Sequence, residues 1–199
     1  AYPLLSRVAN ATVSYAAYIG KMFWPDRMAC FYPFHAPEAW RVAVAAAFLA
    51  AVTLVVTRYG KRYRFLATGW LWYLVALLPV IGFIQAGSQA MADRYTYVSL
   101  IGIFILLCWG GAEIAGRHAR LLWPAAIAVI LALSVRAWFQ VKTWSDPVTL
   151  ARHAVNVTSD NFQQYNNLGI HLAAQGRYDE AISNYVESLG INPSFAWTR

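Results

Sequence analysis

The sequence places one acidic and one basic residue side by side in a short polar segment between two long apolar runs. Asp93 and Arg94 lie in Gln85–Tyr97 (QAGSQAMADRYTY), which separates the runs Phe65–Ile84 and Tyr97–Ile114. Each run is long enough to cross a bilayer, which takes about 20 apolar residues. Because so short a segment cannot leave the membrane surface, both charges are expected where hydrocarbon meets water, a zone in which ionised side chains usually have a partner or a ligand.

Two roles fit this charged pair. An arginine fork is well shaped to chelate a phosphate, so Arg94 is a candidate for binding the anion of a lipid phosphate, with Asp93 holding the guanidinium or orienting an acceptor hydroxyl. The alternative is a structural ion pair that fixes the turn, with Tyr95 and Tyr97 as interface anchors. The remaining candidates for this interface loop are Gln89, Ser88, Tyr95 and His35. No catalytic residue is assigned.

Composition predicts a membrane protein with a soluble tail. The chain is 59% hydrophobic and 13% charged, against roughly 25% charged residues in an average soluble domain. The apolar residues are also gathered into blocks, which a soluble core does not require. The two cysteines, Cys30 and Cys108, are too few and too far apart in sequence to indicate a disulfide framework or a metal site, so no metal site is predicted.

The predicted fold class is all-α: a polytopic bundle of transmembrane helices followed by a helical hairpin. Residues 1–39 are expected to form an interfacial helix, Asn10–Trp24, and then an aromatic, proline-broken extracytoplasmic loop. The helix is predicted to turn Ser14, Tyr18 and Lys21 toward water. Residues 40–140 are expected to form four spans, namely Trp40–Thr57, Phe65–Ile84, Tyr97–Ile114 and Leu121–Phe139.

Two local features of the spans are also predicted. Pro79 lies inside the second span, where it removes a backbone hydrogen bond and should kink the helix toward its Gln85 end. Glu113 precedes Arg117 by one helical turn near the end of the third span, a spacing that favours a local ion pair.

The distribution of positive charge predicts the orientation. Two of the turns between predicted spans, 58–64 and 116–120, contain basic residues and no acidic ones. The basic residues are Arg58, Lys61, Arg62, Arg64, Arg117 and Arg120. The positive-inside rule puts these turns in the cytoplasm, and therefore the Asp93–Arg94 loop and everything after the fourth span outside it. The pI near 9.6 is thus a topology signal, and binding to nucleic acid is not predicted.

After the last span the sequence becomes soluble and helical. Residues 141–161 are expected to be a linker with a capping helix, Asp146–Val157. Residues 162–195 resemble one tetratricopeptide (TPR) repeat, and 196–199 are expected to begin another, because a single repeat cannot bury its own faces. The residues predicted to pack the repeat are Tyr165, Leu168, Gly169, Leu172, Ala181, Tyr185 and Pro193.

The combination resembles bacterial multispan membrane TPR proteins related to the transmembrane-and-TPR O-mannosyltransferases. The resemblance covers most of the chain and is carried by the TPR repeat and by Tyr18–Pro25, Phe31–Pro33, Gly69–Val80 and Gly87–Tyr97. It implies a multi-pass plasma (inner) membrane glycosyltransferase of the GT-C type that takes sugar from a polyprenyl-phosphate donor on the extracytoplasmic face, without a further cofactor.

The resemblance also implies that the catalytic carboxylates of such an enzyme lie upstream of this sequence, so the fragment alone is expected to be inactive. The bilayer and a protein acceptor or partner bound through the TPR array are the expected partners. The alternative is a membrane-anchored TPR scaffold without catalysis, whose spans serve only as an anchor.

Overall fold

The structure of the chain, a computed structural model, describes residues 3–25, 28–81 and 89–194. Within these ranges the chain is almost entirely helical, and its helices are α1 (Leu4–Phe23), α2 (Ala39–Tyr59), α3 (Arg64–Leu77), α4 (Thr96–Ala115), α5 (Leu122–Thr143), α6 (Pro147–Val157), α7 (Phe162–Ala174) and α8 (Tyr178–Ile191). Two short strands are present, β1 (Tyr32–Pro33) and β2 (Gln89–Met91). The 3-10 turns are Asp93–Tyr95 and Gly116–Leu121. The predicted all-α class is confirmed.

Among the described residues, three helices are long and apolar enough to cross a membrane, so the chain is a multi-pass membrane protein. They are α2, the continuous helical stretch Asp93–His118 that contains α4, and α5. These agree with the first, third and fourth predicted spans. Large apolar side chains are exposed along all three helices, as expected for helices that face hydrocarbon.

The second predicted span is shorter than expected. Helix α3 ends at Leu77, and the chain passes through a turn at Pro79 up to Ile81. Pro79, which lacks the N–H that would continue the ladder, lies two residues beyond the end of the regular helix, so in the described residues up to Ile81 the structure shows a helix end and not the predicted kink. Fourteen residues span only about 21 Å at 1.5 Å per residue, less than the hydrocarbon core of about 30 Å. Residues 82–84, the end of the predicted span, lie outside the described residues.

The chain divides into two compact units, residues 1–26 with 34–131 and residues 27–33 with 132–199. We call them the bundle unit and the hairpin unit. The core of the bundle unit lies where α1, α3 and α4 meet, around Tyr18, Trp70, Tyr73, Leu77 and Ile103. Side-chain donors on these helices find backbone acceptors on their neighbours: Tyr15 Oη donates to Leu74 O (2.8 Å) and Trp72 Nε1 to Val98 O (2.8 Å).

Helices α3 and α4 run antiparallel and touch through their backbones. A Cβ atom built on Gly69 would lie 2.5 Å from Gly102 O, and one built on Gly102 would collide with Gly69 O. Only glycine allows so close a crossing, which is the usual way in which helices pack tightly in lipid.

The predicted ion pair between Glu113 and Arg117 is wrong. Both side chains are exposed, and among the described residues neither has an ion-pair partner. The reason is local: α4 ends at Ala115, and Gly116 has a φ of +50°. Arg117 therefore leaves the helical register in which residues four apart share a face.

The hairpin unit contains α6 and the antiparallel helices α7 and α8. Its core consists of Val148, Ala151, Leu168, Leu172 and Ala181. The side chains of Asp146 and Asn161 cap α6 and α7 by accepting from the N–H groups of Thr149 and Gln164. These caps explain why both helices begin where they do.

Candidate functional site

The segment that contains Asp93 is held against one face of α1. The Tyr18 hydroxyl accepts a hydrogen bond from Ala92 N (3.0 Å) and donates one to Ala92 O (3.1 Å), and Asn10 Nδ2 donates to Ala90 O (2.9 Å). Tyr18 and Ala92 are fully or almost fully buried. A buried backbone group without a partner is costly, so Tyr18 fixes the conformation of the residue immediately before Asp93.

Asp93 pairs with a lysine of α1. Lys21 Nζ lies 3.0 Å from Asp93 Oδ1, and the two side chains are only 20% and 14% exposed. Burial lowers the pKa of Lys21, and the attraction of Asp93 opposes that shift. Burial also raises the pKa of Tyr18, so its hydroxyl keeps its proton and can both donate and accept at Ala92.

Arg94 is exposed beside this pair. Its guanidinium lies over the Tyr95 ring, 5.3 Å from the centroid, and the Tyr95 hydroxyl accepts from Gln89 Nε2 at 2.9 Å. Among the described residues no carboxylate pairs with Arg94. The sequence suggested that Asp93 holds the Arg94 guanidinium, but the partner that the structure shows for Asp93 is Lys21.

The other predicted loop residues have different positions. Gln89 and Tyr95 lie together beside Arg94, His35 is exposed in the stretch before α2, and Ser88 lies outside the described residues. Among the described residues no group of three or more His, Cys, Asp or Glu side chains could hold a metal ion.

Sequence reasoning missed the contribution of α1 to this site. The prediction that Ser14 and Tyr18 face water is wrong, since both are buried, and Lys21 is largely covered. Their spacing with Asn10, at 10, 14, 18 and 21, follows one helical face, and that signal was present in the sequence. This polar face was predicted to contact water because the sequence pattern is the same whether such a face contacts water or the backbone of another segment.

In the hairpin unit five of the seven predicted packing residues come together, namely Leu168, Gly169, Leu172, Ala181 and Tyr185. Leu168, Leu172 and Ala181 are buried. A Cβ on Gly169 would lie 2.5 Å from the Tyr185 ring, so the glycine makes room for this aromatic ring. Tyr165 is partly buried on α7, and Pro193 follows the end of α8. The expected capping helix is present as α6, with Ala154 fully buried.

The hairpin unit also has two exposed features. An open groove of about 470 Å³ lies beside α6 and is lined in part by Arg152, Asn156, Gln175 and Arg177. On α8, Tyr178, Ile182 and Val186 form an exposed stripe at helical spacing. An apolar stripe of this kind on a helix is a surface that another helix can cover.

The sequence is similar to that of curated protein O-mannosyl-transferases from animals. Protein O-mannosyl-transferase TMTC3 of Homo sapiens is 26% identical over 105 residues, 52% of this chain and 12% of the relative. Protein O-mannosyl-transferase Tmtc1 of Drosophila melanogaster is 30% identical over 126 residues, 60% of this chain and 14% of the relative. For human TMTC4 the values are 24% over 153 residues, 73% of this chain and 21% of the relative.

The chain is related to the TMTC protein O-mannosyl-transferases. It spans between 12% and 21% of the length of these three relatives. No family model and no solved structure matches it. The predicted relationship to the transmembrane-and-TPR O-mannosyltransferases is thus confirmed.

Proposed function

We propose that this chain is part of a GT-C-type membrane glycosyltransferase in which Arg94 binds the phosphate of a polyprenyl-phosphate-linked sugar. The observation that carries the proposal is the pairing of Asp93 with Lys21, which leaves the adjacent Arg94 exposed without a carboxylate partner among the described residues. The relationship to the TMTC protein O-mannosyl-transferases supports a glycosyltransferase lineage.

The charge arrangement favours an anionic ligand at Arg94. If Asp93 paired with Arg94, a phosphate would have to displace a carboxylate before it could bind. Lys21 instead neutralises Asp93 in a largely covered position, so the exposed guanidinium retains its charge and its fork of N–H donors. A guanidinium binds phosphate through two parallel hydrogen bonds, which are stronger than those between neutral groups.

The position of Arg94 also suits a lipid-linked donor. It lies at the N-terminal end of the apolar stretch Asp93–His118, so a phosphate bound there would have its polyprenyl chain beside hydrocarbon. Arg94 follows the segment that Tyr18 and Asn10 fix to α1. A fixed backbone reduces the entropy lost when the arginine orders around the ligand.

The experiment is a binding titration of the detergent-purified chain with farnesyl phosphate, a short polyprenyl phosphate, and with farnesol as the matched neutral ligand. Hydrogen bonds to charged groups are worth roughly 1.5–3 kcal/mol, so we expect Arg94→Gln to weaken farnesyl phosphate binding by about tenfold or more. Arg94→Lys should retain part of the affinity.

The matched control is Arg152→Gln, which removes one exposed cation from the hairpin unit and should leave the affinity unchanged. Equal binding of farnesol and farnesyl phosphate, or wild-type affinity in Arg94→Gln, would remove the donor site from Arg94. In a full-length protein the same substitution should then abolish sugar transfer while leaving the hairpin unit folded.

A second candidate function is a membrane-anchored scaffold without catalysis. The exposed stripe of Tyr178, Ile182 and Val186 on α8 favours it, because such a face suits a protein contact or a further TPR-type helix. A scaffold predicts that Ile182→Glu abolishes partner binding and that Arg94→Gln has no functional effect. If the chain belongs to a transferase, Arg94→Gln should abolish sugar transfer. If the acceptor also binds through the hairpin unit, both Arg94→Gln and Ile182→Glu should reduce sugar transfer.

A further inference from the structure

One end of the bundle unit carries six exposed cationic side chains. Four lie in the turn between α2 and α3 and two in the 3-10 turn after α4: Arg58, Lys61, Arg62, Arg64, Arg117 and Arg120. Among the described residues none of them has an ion pair with a carboxylate. We call this surface the basic end. Unpaired charges of one sign so close together repel each other unless an anion neutralises them.

The packing of α4 brings the two turns to the same end. Phe65, at the start of α3, lies beside Gly110, where a built Cβ would be 3.7 Å from the ring. Leu122, at the start of α5, lies beside Gly111, where a built Cβ would be 3.8 Å from Leu122 Cδ1. The C-terminal part of α4 therefore contacts the helices that begin immediately after both basic turns.

The basic end has the surroundings of a lipid headgroup layer. It adjoins α2, α4 and α5, the three helices in the described part of the chain that are long and apolar enough to span a membrane. The Arg58 guanidinium lies 5.5 Å from the centroid of the Tyr59 ring, and that of Arg62 lies 5.2 Å from the centroid of the Tyr63 ring. Tyrosines are enriched at headgroup depth, where the ring is apolar and its hydroxyl remains wet.

We propose that the basic end binds the phosphodiester headgroups of anionic phospholipids such as phosphatidylglycerol. Basic clusters next to transmembrane helices attract anionic headgroups, and guanidinium groups match the geometry of a phosphate. The site is separate from Arg94, since α4 has 20 residues and its two ends are about 30 Å apart. Lipid binding at the basic end is therefore independent of whether Arg94 binds a sugar donor.

The test is native mass spectrometry of the detergent-purified chain titrated with phosphatidylglycerol and, in parallel, with phosphatidylcholine of the same acyl composition. We expect preferential retention of phosphatidylglycerol that falls with rising salt. The double variant Arg62→Gln/Arg117→Gln takes one cation from each turn and should weaken this retention by about 25-fold, at about fivefold per cation. Arg62→Lys/Arg117→Lys keeps both charges and should retain most of it.

The matched control is Arg152→Gln/Arg177→Gln, which removes two cations from the hairpin unit and should leave retention unchanged. Equal retention of the two lipids would overturn the proposal, as would wild-type retention in Arg62→Gln/Arg117→Gln. Competition by inorganic phosphate as effective as that by phosphatidylglycerol would assign the surface to a free anion and would also overturn it. Circular dichroism of each variant establishes that the comparison is between folded proteins.

Discussion

Both units of this chain bring two antiparallel helices together at a glycine, but the glycine meets a different partner in each. In the bundle unit Gly69 and Gly102 place the backbones of α3 and α4 in contact. In the hairpin unit Gly169 receives the ring of Tyr185. Backbone contact suits lipid, where apolar side chains gain little by leaving hydrocarbon, whereas burying an aromatic ring is favourable in water.

The same contrast applies to the rest of each unit. The bundle unit uses tyrosine and tryptophan side chains to hydrogen-bond the backbone of neighbouring elements, as at Ala92, Leu74 and Val98. The hairpin unit has such a bond from Ser188 Oγ to Phe162 O (2.8 Å), beside a compact apolar layer centred on Leu172. We infer that side-chain burial dominates the stability of the hairpin unit, and that close packing and specific hydrogen bonds dominate that of the bundle unit.

The largest effect is expected from Leu172→Ala in the hairpin unit. Leu172 is fully buried, and removing a buried leucine side chain typically costs about 2–5 kcal/mol through lost transfer energy and the cavity that remains. Hydrogen–deuterium exchange of α7 and α8 in the intact chain should accelerate accordingly. Ile170→Ala, on the exposed face of the same helix, is the control and should change exchange little; equal effects would mean that burial does not set this unit's stability.

Gly102→Ala should have the next largest effect. The added methyl would overlap the backbone of α3 at Gly69, and backbone atoms cannot rotate away, so we expect a cost of about 1–3 kcal/mol as for overpacking in a core. A lower thermal midpoint in lipid nanodiscs is the measurement. Gly111→Ala, in the same helix with only an ordinary contact to Leu122, should be neutral or stabilising.

Tyr18→Phe removes one oxygen atom and leaves the ring in place. It deprives both Ala92 N–H and Ala92 C=O of their partner, and a buried unsatisfied polar group costs about 1–3 kcal/mol. We expect faster amide exchange at residues 90–94 and weaker binding of farnesyl phosphate. Tyr97→Phe, at an exposed tyrosine, is the control; unchanged exchange in Tyr18→Phe would mean that α1 does not hold this segment.

Gly169→Ala is expected to have the smallest effect of the four. The added methyl would meet the edge of the Tyr185 ring, and this side chain can rotate where a backbone cannot, so a cost of about 1 kcal/mol is expected. Gly190→Ala, with open space around it, should not destabilise α8. A larger loss in Gly169→Ala than in Gly102→Ala would reverse the contrast between the two units.

Much of the helical plan could be predicted from the sequence, because apolar runs and turn residues are local signals. Helices α2, α4 and α5 lie where unbroken apolar runs predicted spans, and α7 and α8 lie where the repeat pattern placed them. Pro79 was recognised as a disturbance, but whether a proline kinks or ends a helix depends on the packing beyond it. Gly69 and Gly102 were not singled out, since their crossing joins two helices in space.

The polar side of the candidate site was harder to predict for a physical reason. Lys21 and Asp93 are separated by 72 positions, and nothing local in either segment indicates their pairing. Asp93 has an oppositely charged neighbour in sequence, Arg94, which made the adjacent pair the simpler interpretation. In the folded chain, Asp93 instead pairs with Lys21 of α1.

Our central proposal is the topology that the distribution of positive charge predicts: the Asp93–Arg94 loop and the residues after the fourth span are extracytoplasmic, and turns 58–64 and 116–120 are cytoplasmic. It is tested by labelling intact cells with a membrane-impermeant maleimide, using single cysteines at Ser183 and at Lys61 in a background without Cys30 and Cys108. We predict labelling of Ser183→Cys without permeabilisation and of Lys61→Cys only after it. The opposite pattern would place the hairpin unit in the cytoplasm and contradict the proposed glycosyltransferase.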